Sequence, residues 1–356
     1  MVELGTHFTN RKSDDGNPQP KGDPRQRPTQ QADFLECSYG FRPKRSATQA
    51  LEAIREAGNR GYNFVLDADI KGYFDNIQRG TLMELVRERI SDRRVLKLIR
   101  QWLAAGVMED GTVRETLAGT PQGGVISPLL ANIYLNYLDR NWQSRCSQIG
   151  VLVRYCDDFV VMCQRESQAR EALRRVGLVM QRLGLELHPE KTRMVDLRRG
   201  REGFVFLGCT VHKKRSIQRN PRWHFMQRWP SPKAMKRIRE RVRELTDARQ
   251  SGSDVKQIIA KLTPVLRGWG NYFRSGNADR KFNQLDSYVY GRLVRWLYRR
   301  GGQRKGRVEK WTHDRFVSMG LHRLRTTVKY PAQATPVRSS LSRVRENRTH
   351  GLKGVC

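Results

Sequence analysis

Residues 151–163 read "VLVRYCDDFVVMC". Two apolar, β-prone runs, Val151–Tyr155 and Phe159–Met162, flank the adjacent acids Asp157 and Asp158. This pattern predicts a β-hairpin with the acid pair at its tight turn. Neighbouring carboxylates repel, and partly buried ones are costly unless something positive compensates them. A solvated Asp-Asp turn is one reading, because Asp is common in turns. The apolar strands on both sides, and Tyr155 just before the pair, favour acids held against a core to bind a cation.

A second acidic strand end lies 88 positions upstream. "FVLDADI" (64–70) is a short apolar run punctuated by acids, which predicts a buried strand with Asp69 at its end. Asp67 and Asp75 compete for the same role. Strand ends joined in one sheet would gather carboxylates from both segments. Hard oxygen ligands, few in number and leaving room for substrate phosphates, are how proteins usually hold Mg²⁺. Two such ions about 3.5–4 Å apart can activate a 3′-hydroxyl and stabilise a leaving pyrophosphate.

Around these strands the chain reads as helices. Residues 78–105 look helical, with Val95, Leu98, Ile99, Trp102 and Leu103 at core-facing spacing. "GTPQGG" (119–124) is a loop, Ile126–Leu138 an apolar helix, and Ala169, Leu173, Val176, Met180 and Leu183 mark an amphipathic one. "GFVFLGCTV" (203–211) reads as one further strand, after which strands largely disappear. Apolar stripes at Met235–Leu245, Val255–Leu266 and Phe282–Trp296 predict three more helices. The expected architecture is α+β: an antiparallel sheet with packed helices, followed by an all-α basic domain.

The net charge of +33 is unevenly placed: residues 213–356 carry 36 Lys/Arg against nine Asp/Glu. A basic half joined to a nearly neutral one points to a catalytic part and a part that grips a polyanion. Aromatics among those cations, including Trp223, Trp229, Trp269 and Tyr272, suit stacking on unpaired bases. No run is long and apolar enough to span a membrane, and the first thirty residues have no apolar signal core, so a cytoplasmic protein with no membrane partner is expected. The six cysteines lack C-x-x-C spacing and read as free thiols without zinc.

In order along the chain, "YGFRPKRSATQAL" (39–51), "VLDADIKGYFDNI" (65–77), "GTPQGGVISPLLANIYL" (119–135), "VRYCDDFVV" (153–161), "LGLELHPEKTRMV" (183–195) and "GFVFLGCTV" (203–211) resemble consecutive blocks of the reverse transcriptase domain of bacterial group II intron-encoded proteins. "IIAKLTPVLRGWGNYFR" (258–274) and "FNQLDSYVYGRLVRWLYRR" (282–300) are similar to that family's maturase domain, which forms the polymerase thumb. The resemblance covers roughly residues 31–330. It implies a right-hand polymerase palm followed by a helical basic thumb. It also implies RNA-directed DNA synthesis by two-metal phosphoryl transfer, with intron RNA binding that assists splicing. A non-enzymatic splicing cofactor with impaired polymerase activity is the alternative.

By motif match, Asp69, Asp157 and Asp158 resemble the catalytic aspartates that hold two Mg²⁺ (or Mn²⁺), with the Ile70 backbone carbonyl as a further ligand. Asp157 is the favoured metal ligand and Asp158 the more structural of the pair. Phe74 occupies the position of the gate that rejects a ribonucleotide's 2′-hydroxyl. Gln122, Gly123 and Lys191 resemble nucleotide-binding positions. Arg42, Arg267, Trp269, Tyr272, Arg274, Arg292 and Arg295 are candidates to touch nucleic acid. The implied partners are group II intron RNA, an RNA template with a DNA primer, a DNA target and deoxynucleoside triphosphates. The family's first blocks are matched only by "PQPKGDPRQRPT" (18–29), so a shortened fingers region is expected. The expected division is an atypical N-terminus at 1–30, a palm at 31–212, a basic linker at 213–230, a thumb at 231–330 and a basic tail at 331–356. Scattered histidines after residue 212 give no sign of a metal-dependent endonuclease.

Overall fold

The hairpin and the acidic strand expected from the sequence form the centre of a four-stranded antiparallel sheet. The structure is a computed structural model that describes residues 34–104, 107–109, 112–114, 126–216, 223–247, 254–301 and 311–329. Leu35–Cys356 forms one compact unit, to which all the elements below belong.

In chain order the first elements are α1 (Ala47–Asn59), β1 (Phe64–Ala68), α2 (Tyr73–Asn76), α3 (Arg79–Arg87) and α4 (Arg93–Ala104). A small hairpin of β2 (Val107–Glu109) and β3 (Thr112–Arg114) precedes α5 (Ser127–Arg145). The hairpin of β4 (Val151–Tyr155) and β5 (Asp158–Cys163), then α6 (Glu166–Arg182) and β6 (Arg193–Asp196), complete the central layer. The sheet order is β4-β5-β1-β6.

Both faces of this sheet are buried, which is why its strands read as nearly continuous apolar runs. Phe64, Leu66, Phe159 and Val161 point into a core shared with α3, α5 and α6. Val65, Val153, Val160 and Met162 point into the opposite core, built with α1 and the C-terminal elements. Asp67 and Asp69 alternate onto the Val65 side, and Asp158 falls on the Val160 side, so strand geometry alone puts all three acids on one face.

Three expectations are corrected. The helical stretch 78–105 is two helices, because Asp92 interrupts it: its carboxylate accepts from the Arg94 amide at 2.8 Å and starts α4 afresh. Among the described side chains of α4, Leu96, Ile99 and Leu103 are buried, whereas Val95, Leu98 and Trp102 are 37%, 47% and 47% exposed. The apolar arc of that helix is wider than the surface it packs on. The single strand 203–211 is a hairpin of β7 (Gly203–Phe206) and β8 (Cys209–Arg215). Its two-residue turn, Leu207 (φ 48°) and Gly208 (φ 73°), has the left-handed backbone that matches strand twist.

The linker expected at 213–230 is a continuation of that sheet wherever it is described. β9 (His224–Pro230) pairs antiparallel with all of β8, from Cys209 against Pro230 to Arg215 against His224. Arg and Pro suggested a linker, but Met226, Arg228 and Pro230 alternate inward. Arg228 lies against Glu52 of α1 at 3.2 Å and donates to the Ser275 carbonyl at 2.9 Å, so a buried cation joins three segments.

The C-terminal helices are α7 (Pro232–Leu245), α8 (Val255–Phe273), α9 (Asp279–Gly301) and α10 (His313–Ser318). Their apolar stripes meet in the second core, as the periodicity predicts. Among the described residues no helix is long and apolar enough to cross a membrane.

Lys213 is buried on the inner face of β8 with its ammonium donating to the Asn63 side chain. Burial pulls its pKa down to about 8. A base with a lowered folded pKa destabilises the fold fully below that value and not at all once the unfolded chain is also neutral. The parent should therefore gain stability relative to Lys213→Met between pH 8 and roughly 10.5, by up to about 3 kcal/mol at 1.36 kcal/mol per pKa unit. Denaturant melts of both proteins across that range check it; a constant difference would refute it.

Candidate active site

The register of the central sheet brings the acids together. β1 and β5 pair from Phe64 opposite Cys163 to Ala68 opposite Phe159. One further step places Asp69 opposite Asp158. Both line a cavity of about 350 Å³ with Asp67, Lys191, Arg193 and the β7–β8 hairpin residues Val205, Phe206 and Leu207. Asp157 is the second residue of the two-residue turn and does not line this cavity. Asp158 lines it instead, although Asp157 was the favoured ligand of the two.

Enclosure and neighbouring like charges set the electrostatics of these acids. Asp158 is pushed up to about 7, first by its enclosure and then by the charges of Asp157, Asp69 and Asp67. Burial likewise raises Asp157, with Asp69 adding to the effect, and it raises Asp67. Two side chains of the segment 191–193 supply partial compensation: Lys191 Nζ lies 3.3 Å from Asp69 and Arg193 Nε 3.2 Å from Asp67. The same segment holds the Asp69 backbone, because the Asp69 amide donates to Thr192 Oγ1 at 3.3 Å, and the His188 amide just before it donates to the Asp69 carbonyl at 2.8 Å. Ile70 is buried and bridges antiparallel to Leu187.

Among the described residues no three His, Cys, Asp or Glu side chains form a ready-made metal cage. Mg²⁺ is usually held by one or two carboxylates together with substrate phosphates, so the oxygen donors of Asp69 and Asp158 facing one cavity suit it. Phe74 is half-buried against Tyr73, ring centroids 5.2 Å apart, and does not line the cavity. Gln122 and Gly123 lie outside the described residues.

Sequence reading missed the group that sets the acid turn. Arg154 is completely buried, and all five of its N–H donors are engaged. Nε and Nη2 reach Asp139, Nη2 also reaches Ser38 Oγ at 2.9 Å, and Nη1 donates to Asn132 Oδ1 at 3.0 Å and the Cys156 carbonyl at 2.8 Å. Cys156 holds a left-handed φ of 59°, and this bond pins it. The signal was available: an arginine inside an apolar strand must have a buried partner.

Gly40 of "YGFRP" presses on the same turn. A Cβ there would lie 2.5 Å from the Cys156 amide nitrogen and 3.1 Å from the Tyr155 carbonyl carbon. Gly40→Ala should therefore displace the turn, costing about 1–3 kcal/mol of stability and lowering any metal-dependent activity of the site. Thermal melts beside an activity assay check this, and an Ala variant with the parent's melt would refute it.

A family model described as reverse transcriptase (RNA-dependent DNA polymerase) matches residues 25–211, just over half the chain. The chain belongs to the reverse transcriptase family. A second model, the maturase-specific domain of group II introns, matches residues 235–316. The chain is also similar to parts of several curated proteins. Protein YkfC of Escherichia coli is 33% identical over 227 residues, 53% of this chain and 58% of that protein. The group II intron-encoded protein LtrA of Lactococcus lactis is 48% identical over 108 residues, 30% of this chain and 18% of that protein. An uncharacterized 91 kDa protein in the cob intron of Schizosaccharomyces pombe is 26% identical over 326 residues, 72% of this chain and 40% of that protein. The chain thus covers less than two thirds of each. This membership identifies the sheet as the polymerase palm.

The candidate nucleic-acid residues divide by placement. Arg42 donates to the Leu35 and Ser38 carbonyls at 2.6 Å each. Trp269 packs on Phe273 and Phe282. Arg292 closes the end of α7 through Thr246 and Arg243. These three do structural work. Arg267 and Arg295 are exposed and Arg274 is half-buried. Tyr272 is 40% exposed and donates to the Leu207 carbonyl at 2.9 Å, tying α8 to the hairpin that lines the cavity.

Proposed function

We propose that this chain is an RNA-directed DNA polymerase of a group II intron, and that it also binds the intron RNA to assist splicing. The observation that carries the reading is the cavity in which Asp69 and Asp158 face each other across the sheet, their charge only partly met by Lys191. In this reading Asp69, Asp157 and Asp158, with the Ile70 carbonyl, hold divalent ions, Mg²⁺ or Mn²⁺. Such ions supply charge stabilisation at the transferred phosphoryl group and lower the pKa of the attacking 3′-hydroxyl. Lys191 sits where it can balance a triphosphate once it leaves Asp69, and Phe74, Gln122 and Gly123 are assigned to the incoming deoxynucleotide. The domain after residue 230, with Arg267, Tyr272, Arg274 and Arg295, holds the RNA template with its DNA primer, the intron RNA and the DNA target.

The test is extension of a DNA primer on an RNA template by the purified chain with and without Mg²⁺. Metal-dependent extension is expected, and none under any divalent ion overturns the polymerase assignment. The strongly basic C-terminal half favours a second reading, a splicing cofactor without synthesis. Primer extension by a chain shown to assist splicing separates the two, since a pure cofactor splices but extends no primer.

A further inference from the structure

The sheet of β7, β8 and β9 has an inner face on the core and an outer face that no described element covers completely. The register assigns that outer face residue by residue. Val205, Thr210 and Trp229 make one row, His212 and Gln227 the next, and Lys214 and Phe225 the third. Trp223, next along the same edge, is 42% exposed, and Val205 is 47% exposed. Trp223, Phe225 and Trp229 thus share one face of one strand.

Alternate residues of a strand lie about 6.8 Å apart. Rings spread along the strand at this spacing each meet a separate base. Trp223 and Phe225 are edge-to-face at 6.4 Å, and Lys214 sits 5.7 Å over the Trp229 ring. The outer face carries the exposed Lys214, whereas Lys213 and Arg228 point inward, and residues 203–230 contain no Asp or Glu to oppose a polyanion. Gln227, between Phe225 and Trp229 on the same strand, places a polar group there as a partner for a ribose 2′-hydroxyl. Val205 belongs both to this face and to the wall of the carboxylate cavity, so the face is continuous with the active-site mouth.

We infer that the outer face of the β7–β8–β9 sheet is a stacking platform for an unpaired RNA strand, with Trp223, Phe225 and Trp229 as the base-stacking rings and Lys214 as a phosphate contact. This deepens the reading that the chain works on RNA and rests on it. A sheet face with aromatics on alternate positions binds unpaired bases because every base offers a flat face and a duplex does not.

The experiment measures binding of the full-length chain to a labelled, unstructured 12-nucleotide RNA by fluorescence anisotropy at fixed salt. A blunt RNA duplex and the single-stranded DNA of the same sequence are the other arms. Trp223→Ala/Phe225→Ala should bind the single-stranded RNA at least tenfold more weakly, with duplex binding within twofold of the parent. The parent should prefer the RNA over the DNA strand. Photo-crosslinking of 5-iodouridine RNA to the parent should mark the peptide containing residues 223–229, which keeps the test valid if the variant folds poorly. Unchanged single-strand affinity in a folded variant, equal losses on strand and duplex, equal affinity for the DNA, or crosslinks confined to other peptides would each overturn the platform. Asp157→Asn should bind the RNA like the parent, so a chain that extends no primer still leaves this test intact.

Discussion

Asp69→Asn and Asp157→Asn should each lower primer extension on the order of 10³-fold. In the proposed function each removes one charge from a site assigned to hold metal, and the loss of several kcal/mol of transition-state stabilisation at about 1.36 kcal/mol per tenfold gives that magnitude. The same cluster predicts an opposite effect on stability. Asp158 has its pKa raised to about 7 by enclosure and by three neighbouring acids. For an acid with a raised folded pKa, the destabilisation begins as pH rises above the free value of 3.8 and is complete above about 7. Asp158→Asn should therefore melt higher than the parent at pH 8 in the absence of divalent ions. Added Mg²⁺ should narrow the gap, because binding to the folded state stabilises the parent by mass action. Melting curves with and without Mg²⁺, beside single-turnover extension, check both halves. A variant that extends like the parent, or one that melts lower at pH 8, would remove the functional reading of these acids. Such a trade of stability for activity is expected wherever like charges are gathered for a ligand that is not part of the fold.

The palm was legible because a sheet buried on both faces writes itself as apolar runs, and the acids interrupting them, Asp67 apart, stand where the ladder ends. That is how "FVLDADI" and "VRYCDDFVV" pointed to each other before any register was known. The C-terminal helices were legible from their 3.6-residue period. β9 was not, because Arg228 and Pro230 look like surface residues until Glu52 and Ser275 are seen around the guanidinium. The period-2 pattern of residues 224–230 was present, but composition outweighed it. Leu207–Gly208 was hidden for a related reason: with leucine at its first position, the turn lacks the Asn-Gly or Asp-Gly that usually marks one. The exposed half of α4 could not be foreseen, since periodicity gives the apolar arc of a helix but not how much of it a neighbour reaches. Arg154 is the most informative omission. Its place among apolar residues was visible, but its partners come from positions 38, 132, 139 and 156, which only the fold unites.

Loss of that arginine should cost more stability than the other changes proposed above. Arg154 and Asp139 are both fully buried, with side chains 0% exposed. Removing either leaves the other charge uncompensated where water cannot reach it, which costs about 3–5 kcal/mol. Arg154→Met should show that loss, and Asp139→Asn a smaller one, because the amide still accepts from the guanidinium. The double change Arg154→Met/Asp139→Leu should recover much of the stability, since buried ion pairs replaced by apolar groups of similar size are often neutral. Activity should not recover with it. The Cys156 carbonyl would still lack its donor, and the turn that places Asp157 and Asp158 would be free to leave its left-handed conformation. Chemical denaturation of the three variants, read beside primer extension, separates the two roles of the arginine. If the double variant regains stability and full extension together, Arg154 only fills the core. If it regains stability while extension stays at least tenfold down, the arginine holds the acids at the cavity in the geometry that the register of β1 and β5 prepares.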